Sequence, residues 1–152
     1  MCFLFRYSDS SRSIRSALLK MNRILLLIVI AALPACSDLE KSEITALMDA
    51  RDLAMSQRNI SDYSALIYSN YDDQGRSKVD IVAQMVALFD KFDRAEMRSY
   101  NRQIQQLNDE HARCNQSYTL KVLADGEWRK IVQREQLALT RDRDGWKISG
   151  GL

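Results

Sequence analysis

The sequence predicts an α+β domain, three helices followed by about four antiparallel strands. Three observations carry this. Apolar residues recur every three or four positions in successive stretches between Ile44 and Phe92, the spacing of one helix face. From Arg94 onward the period falls to two, the alternation of a half-buried strand. Two Asp-Gly pairs, Asp125-Gly126 and Asp144-Gly145, punctuate that second half as hairpin turns.

Ahead of the domain stands an export signal. Asn22 and Arg23 lead into an apolar run from Ile24 to Leu33, which stops at Leu33-Pro34-Ala35-Cys36. A basic start, a short apolar run and small residues make a secretory leader. The run is too short to cross a bilayer, for which a helix needs about 20 apolar residues. Cys2, Arg6, Arg12, Arg15 and Lys20 add no recognisable element, and Met21-Asn22-Arg23 already completes a leader, so Met21 is the expected start. Residues 1–35 are read as signal peptide, 36–38 as tether and 39–152 as the domain. Cysteine directly after a Leu-x-Ala group resembles the lipobox of bacterial lipoproteins. The resemblance implies that Cys36 carries a diacylglycerol on its sulfur and a palmitate-type acyl chain on its amine. Several acyl chains anchor stably where a single one binds marginally. The implied location is the cell envelope, facing the periplasm. Ser37 resembles the pattern sent to the outer membrane, whereas Asp38 falls one position late for inner-membrane retention.

Ser37-x-x-Glu40 has capping-box spacing, so the first helix is expected to begin almost at the lipid. Ile44, Leu47, Met48, Ala54 and Met55 form its apolar face through about Arg58, with Glu43, Asp49 and Asp52 on the other. Residues 59–62 supply caps for a shorter helix carrying Tyr63, Leu66, Ile67 and Tyr71, which makes a hairpin with the first. Residues 71–77 form a polar turn in which Gly75 can take positive φ, and Ser77-x-x-Asp80 caps a third helix. That helix shows Val79, Val82, Met85, Val86, Phe89 and Phe92 on one face and ends at 90–93. Strands follow at 97–107, where polar residues interrupt both faces around Tyr100 and Ile104, and at 112–122, with Ala112, Cys114, Tyr118, Leu120 and Val122 inward. A long strand at 128–141 has Ile131, Leu137 and Leu139 inward, and 146–148 closes the sheet.

Length and charge exclude several classes. The 117 residues from Cys36 suit one domain. Residues 1–35 hold five Lys/Arg and one acid, so the +2 of the whole chain becomes −2 over residues 36–152. With no basic excess, no expected face of clustered Lys/Arg and no aromatic stacking motif, nucleic-acid binding is not expected. Lipid on Cys36 leaves Cys114 without an intrachain partner, and its inward strand position makes it a buried, inert thiol. Asp72, Asp73 and Asp80 lack the alternating spacing of a calcium loop, and His111 with one thiol makes no zinc site, so neither metal nor cofactor is expected.

The order of elements, Tyr71-Asp72-x-x-Gly75 before the third helix, and Leu137-x-Leu139 followed by Asp144-Gly145-Trp146-Lys147-Ile148 resemble the nuclear-transport-factor-2-like (NTF2-like) fold, including its SnoaL-like group. The resemblance covers residues 39–152 and implies a sheet curled around a conical pocket that the helices close. Members of this fold include isomerases, dehydratases, hydrolases and binding modules, so fold does not settle function. No motif assigns catalytic residues, and His111 reads as solvent-exposed. Tyr71, Tyr100, Gln116, Tyr118 and Arg134 are the candidate pocket residues. Gln116 falls on an otherwise apolar strand face, and Arg134 and Gln136 flank the apolar half of the facing strand. They either line a small pocket or are turned out by a bulge. The leading expectation is a membrane-anchored, non-catalytic domain binding a small apolar ligand or an envelope protein. The alternatives are a pocket enzyme and a homodimer formed through the sheet's outer face, which an exposed Trp128 or Trp146 would support.

Overall fold

The structure, a computed structural model, describes residues 35–152. The leader through Pro34, Met21 included, lies outside the described residues, as do the side chains of Cys36 and Ser37. The compact unit Glu40–Leu152 is described below.

The first helix, α1 (Ala35–Ser56), presents Ile44, Leu47, Met48, Ala54 and Met55 to the core as its period requires. It is already helical at Ala35, so Ser37 lies inside it and is not its cap. Asn59 caps α2 (Ile60–Ala65), its side chain accepting from the Asp62 amide. This helix stops well short of expectation. Leu66 and Ile67 leave it to run beside the last strand, where the Ile148 amide donates to the Leu66 carbonyl and the Tyr68 amide to the Ile148 carbonyl. Ile67 is therefore buried from a β-bridge and Tyr71 from the turn after it, neither from a helix face.

The polar turn folds into a miniature hairpin, β1 (Asp72–Asp73) and β2 (Arg76–Ser77), around Gln74 and Gly75, both at positive φ. Ser77 and Asp80 then form the expected capping box of α3 (Lys78–Lys91). The buried stripe of α3 is rotated from the expected one. Ile81 and Phe89 are buried and Val82, Met85, Leu88 and Phe92 pack against the core, while Val79 and Val86 face solvent, so of the expected face 82, 85, 89 and 92 turn inward and 79 and 86 do not.

Four antiparallel strands, β3 (Arg94–Gln106), β4 (His111–Ala124), β5 (Glu127–Asp142) and β6 (Gly145–Gly150), lie in sequence order. β3, the least certain from its pattern, is a full-length strand. Ala95, Met97, Ala112, Cys114, Leu120, Val122, Leu137, Leu139, Trp146 and Ile148 form the sheet's buried face, against the three helices. Ile131 has the right parity but is 42% exposed, since it lies beyond the helices' cover. Trp146 is buried and Trp128 is exposed, so one of the two tryptophans is available to the outer face. Between Tyr100 and Gln103 the β3–β4 register shifts, with Asn101 left-handed at φ 55. This bulge switches the inward set of β3 from Ala95, Met97 and Ser99 to Arg102, Ile104 and Gln106.

Candidate functional site

Polar side chains meet halfway up the buried face. Arg51 sits on the apolar stripe of α1, one turn from Leu47, Met48, Ala54 and Met55, and so points at the sheet. Its guanidinium forks onto Glu135 of β5, with Nη1 to Oε1 at 2.6 Å and Nη2 to Oε2 at 3.1 Å. The two side chains are only 7% and 11% exposed. Gln116 Nε2 donates to the same carboxylate at 2.7 Å, and Gln116 Oε1 accepts from Arg102 Nε at 3.1 Å. Arg102 continues to Asp49 at 2.6 Å, and Asp52 holds the Ser99 amide at 2.6 Å and its hydroxyl at 2.7 Å. A chain of charged and amide groups thus ties α1 to three strands.

Burial alone would lower the pKa of Arg51, but the Tyr63 hydroxyl and the Glu135 carboxylate outweigh it and raise the value, so the guanidinium stays charged. Beside this pair lies a cavity of about 370 Å³ lined by Arg51 and Tyr63, by Ile81, Gln84 and Met85 of α3, by Tyr118, by Gln133, Arg134, Glu135 and Gln136 of β5, and by Gly151 and Leu152. Tyr118 donates its hydroxyl to Gln133 Oε1 at 2.5 Å, and burial pushes its pKa upward.

The expected residues do not all converge. Gln116 is buried at the centre of the network, and Tyr118 lines the cavity. Tyr71 is buried below it, its hydroxyl accepting from the Leu152 amide at 3.0 Å. Tyr100 pairs with Ser117 on the outer face, away from the cavity. Arg134 also pairs with Ser117, which puts its side chain on the outer face; it is brought together with Gln116 and Glu135 around an open hollow of about 790 Å³ and also borders the 370 Å³ cavity. The strand parity set by Leu137 and Leu139 brings Glu135 inward instead. Arg51, Glu135 and Arg102 were missed; the first two were readable as polar residues on apolar stripes, whereas Arg102 turns inward only through the bulge. The outer face also gathers Arg94, Arg98, Arg113, Lys121, Lys130 and Arg134, against the expectation that no face would cluster Lys and Arg. They come from three strands, so no run of sequence displays them.

Cys114 is buried, and burial raises its thiol pKa, the opposite of an activated nucleophile. His111 is exposed beside Asn108, remote from the cavity. Among the described residues no group of His, Cys, Asp or Glu is placed to hold a metal ion, and no helix is long and apolar enough to cross a membrane.

No protein-family profile matches the chain, and no curated protein matches its sequence. Solved structures do match its fold. An NTF2-like superfamily protein from Salmonella enterica superposes with a TM-score of 0.66 at 14% identity, covering 74% of this chain and 88% of that one. The fold is NTF2-like. A presumed dehydratase of the NTF2-like family from Streptomyces avermitilis matches with a TM-score of 0.64 at 11% identity, over 75% of this chain and 94% of its own. A presumed scytalone dehydratase from Novosphingobium aromaticivorans matches at 0.66 and 11% identity, over 74% and 81%. At such identities the likeness is one of fold alone.

Proposed function

We propose that this chain is a lipid-anchored protein of the bacterial cell envelope whose NTF2-like domain binds a small amphipathic ligand or a protein partner and does not catalyse. One observation carries the non-catalytic reading. Glu135, the one carboxylate among the cavity-lining side chains, is already held by both Arg51 nitrogens and by Gln116. A general base must be free to reach the proton it takes. A cavity of about 370 Å³ falls within the ~300–1,000 Å³ typical of small-molecule sites, and its tyrosine and glutamine lining suits a ligand with a polar end. The anchor rests on the resemblance of the segment ending at Cys36 to a lipobox, and Ser37 favours the outer over the inner membrane.

The second reading is a pocket enzyme, favoured by the dehydratases among proteins of this fold. In that reading Glu135 would be the base.

Native mass spectrometry of the full chain, extracted in mild detergent, tests both the ligand and the anchor. The expected spectrum carries a covalent acyl mass that persists on denaturation and is lost in Cys36→Ser, plus a second mass that leaves on denaturation. An unacylated wild-type chain would contradict the anchor, and an empty native domain would contradict a resident small ligand.

A further inference from the structure

We propose that the open edge of β5 is a docking strand for an extended acidic protein segment, which adds beside it and sends alternate side chains into the cleft against α3. This rests on the reading of the domain as a binding module and names its partner's chemistry.

The direction of each β5 backbone group follows from its two ends. The Asp125-Gly126 turn, both residues at positive φ, is closed by the pair Ala124 and Glu127, and at the far end the Arg141 amide donates to the Glu110 carbonyl at 2.8 Å. In an antiparallel ladder alternate residues bond to the same side, and the β4–β5 register has no shift between these ends. Odd-numbered residues of β5 therefore bond to β4, and even-numbered ones face the other edge. β6 occupies that edge only from Ala138 to Asp142. Trp128, Lys130, Val132 and Arg134 thus present N–H and C=O groups with no backbone partner among the described residues, whereas the Gln136 carbonyl is covered by Gly151.

Beyond Gln136, which Gly151 covers, the chain turns away from the edge. Gly151, at φ 90, directs its amide to Asp73 at 2.9 Å, and the Leu152 amide goes to Tyr71. The space left between the edge and Gln84 and Met85 of α3 opens into the cavity. A long unpaired strand is a template for another chain. Here it is also apolar, with Trp128 47%, Ile131 42% and Val132 55% exposed.

Charge selects the occupant. Arg129, Lys130 and Arg134 are exposed along this edge, while Glu135 is consumed by Arg51, leaving Glu127 as the free acid of residues 127–136. A second copy paired edge to edge would set Lys130 and Arg134 against their own equivalents, and like charges opposed across a ladder repel. An incoming strand with acids beside Lys130 and Arg134 and apolar residues beside Ile131 and Met85 satisfies both faces. Main-chain bonds would supply affinity and the alternate side chains specificity.

The test uses the full chain in mild detergent and two fluorescent synthetic peptides, one alternating valine with glutamate and the other valine with lysine, read by anisotropy. The glutamate peptide should bind at least about tenfold more tightly than the lysine peptide, a difference of ~1.4 kcal/mol. Arg134→Glu should erase that preference. Val132→Pro removes one outward amide without touching the β4 ladder, and should abolish binding while leaving the urea midpoint close to wild type. Bound peptide should slow hydrogen exchange at the amides of Lys130, Val132 and Arg134. Equal affinity for both peptides, no binding, or wild-type binding by both variants would overturn the proposal. So would a dimer with these amides protected before any peptide is added. A small molecule retained equally by wild type and Val132→Pro would leave the cavity reading standing while edge docking fell.

Discussion

Arg51 stands where the period of α1 calls for an aliphatic residue. A polar group on an apolar stripe is tolerated only with a partner, and Glu135 occupies the equivalent position on the stripe of β5. The tyrosines add a pH dependence. Burial raises the pKa of both Tyr71 and Tyr118 above their ordinary value of 10.0. A group whose folded pKa is raised contributes stability that is complete below its unfolded pKa and disappears as pH climbs through the folded one. Urea unfolding between about pH 9 and pH 11 should therefore show stability falling with rising pH, and less steeply in Tyr71→Phe and Tyr118→Phe. A flat profile would mean that neither phenol is held neutral by the fold. Both tyrosines were legible as candidates, but Tyr100 and Arg134 were not separable from them. Their side depends on the register of neighbouring strands, and a single strand's pattern does not contain it.

At the scale of elements, three kinds of local signal held because their backbone chemistry is self-contained, whereas the Ser37-x-x-Glu40 spacing fell inside a helix that begins at Ala35. The Asn59 cap, the Ser77–Asp80 capping box and both Asp-Gly hairpins need no tertiary information. Elements whose shape depends on distant partners were misread. Helix α2 ends early because Leu66 and Tyr68 bond to Ile148, some eighty residues on, and that competition is invisible at residues 63–71. The β3 bulge is likewise hidden, since Asn101 was the one hint of a left-handed residue and it lies in a polar stretch. The turn away from β5 at Gly151 has a sharper dependence on sequence. A Cβ there would lie 2.1 Å from the Gln136 carbonyl oxygen, on a backbone that L-residues rarely adopt. Gly151→Ala should cost of order 2 kcal/mol and release Leu152 from Tyr71. Its denaturation midpoint and the Tyr71 ring resonances would report this, and unchanged values of both would contradict the packing described at the end of β6.

For the whole molecule, the network from Glu135 through Arg51, Gln116 and Arg102 to Asp52 is what joins α1 to three strands beneath an otherwise apolar core. The fold class was readable because the periodicity changes once, at Arg94, and because the hairpin turns are unambiguous. The interior network was only half readable, since alternation identifies which residues point inward but not which of them meet. The central claim is that Glu135 is a structural tie and not a free base. A double-mutant cycle of Arg51→Met and Glu135→Leu, followed by urea denaturation, tests it most directly. Each single change leaves a buried charge alone and should cost about 3–5 kcal/mol. The double variant should recover ~2 kcal/mol or more of the summed loss. Additive losses, or a Glu135→Leu protein as stable as wild type, would contradict the account and return Glu135 to the role of a catalytic candidate.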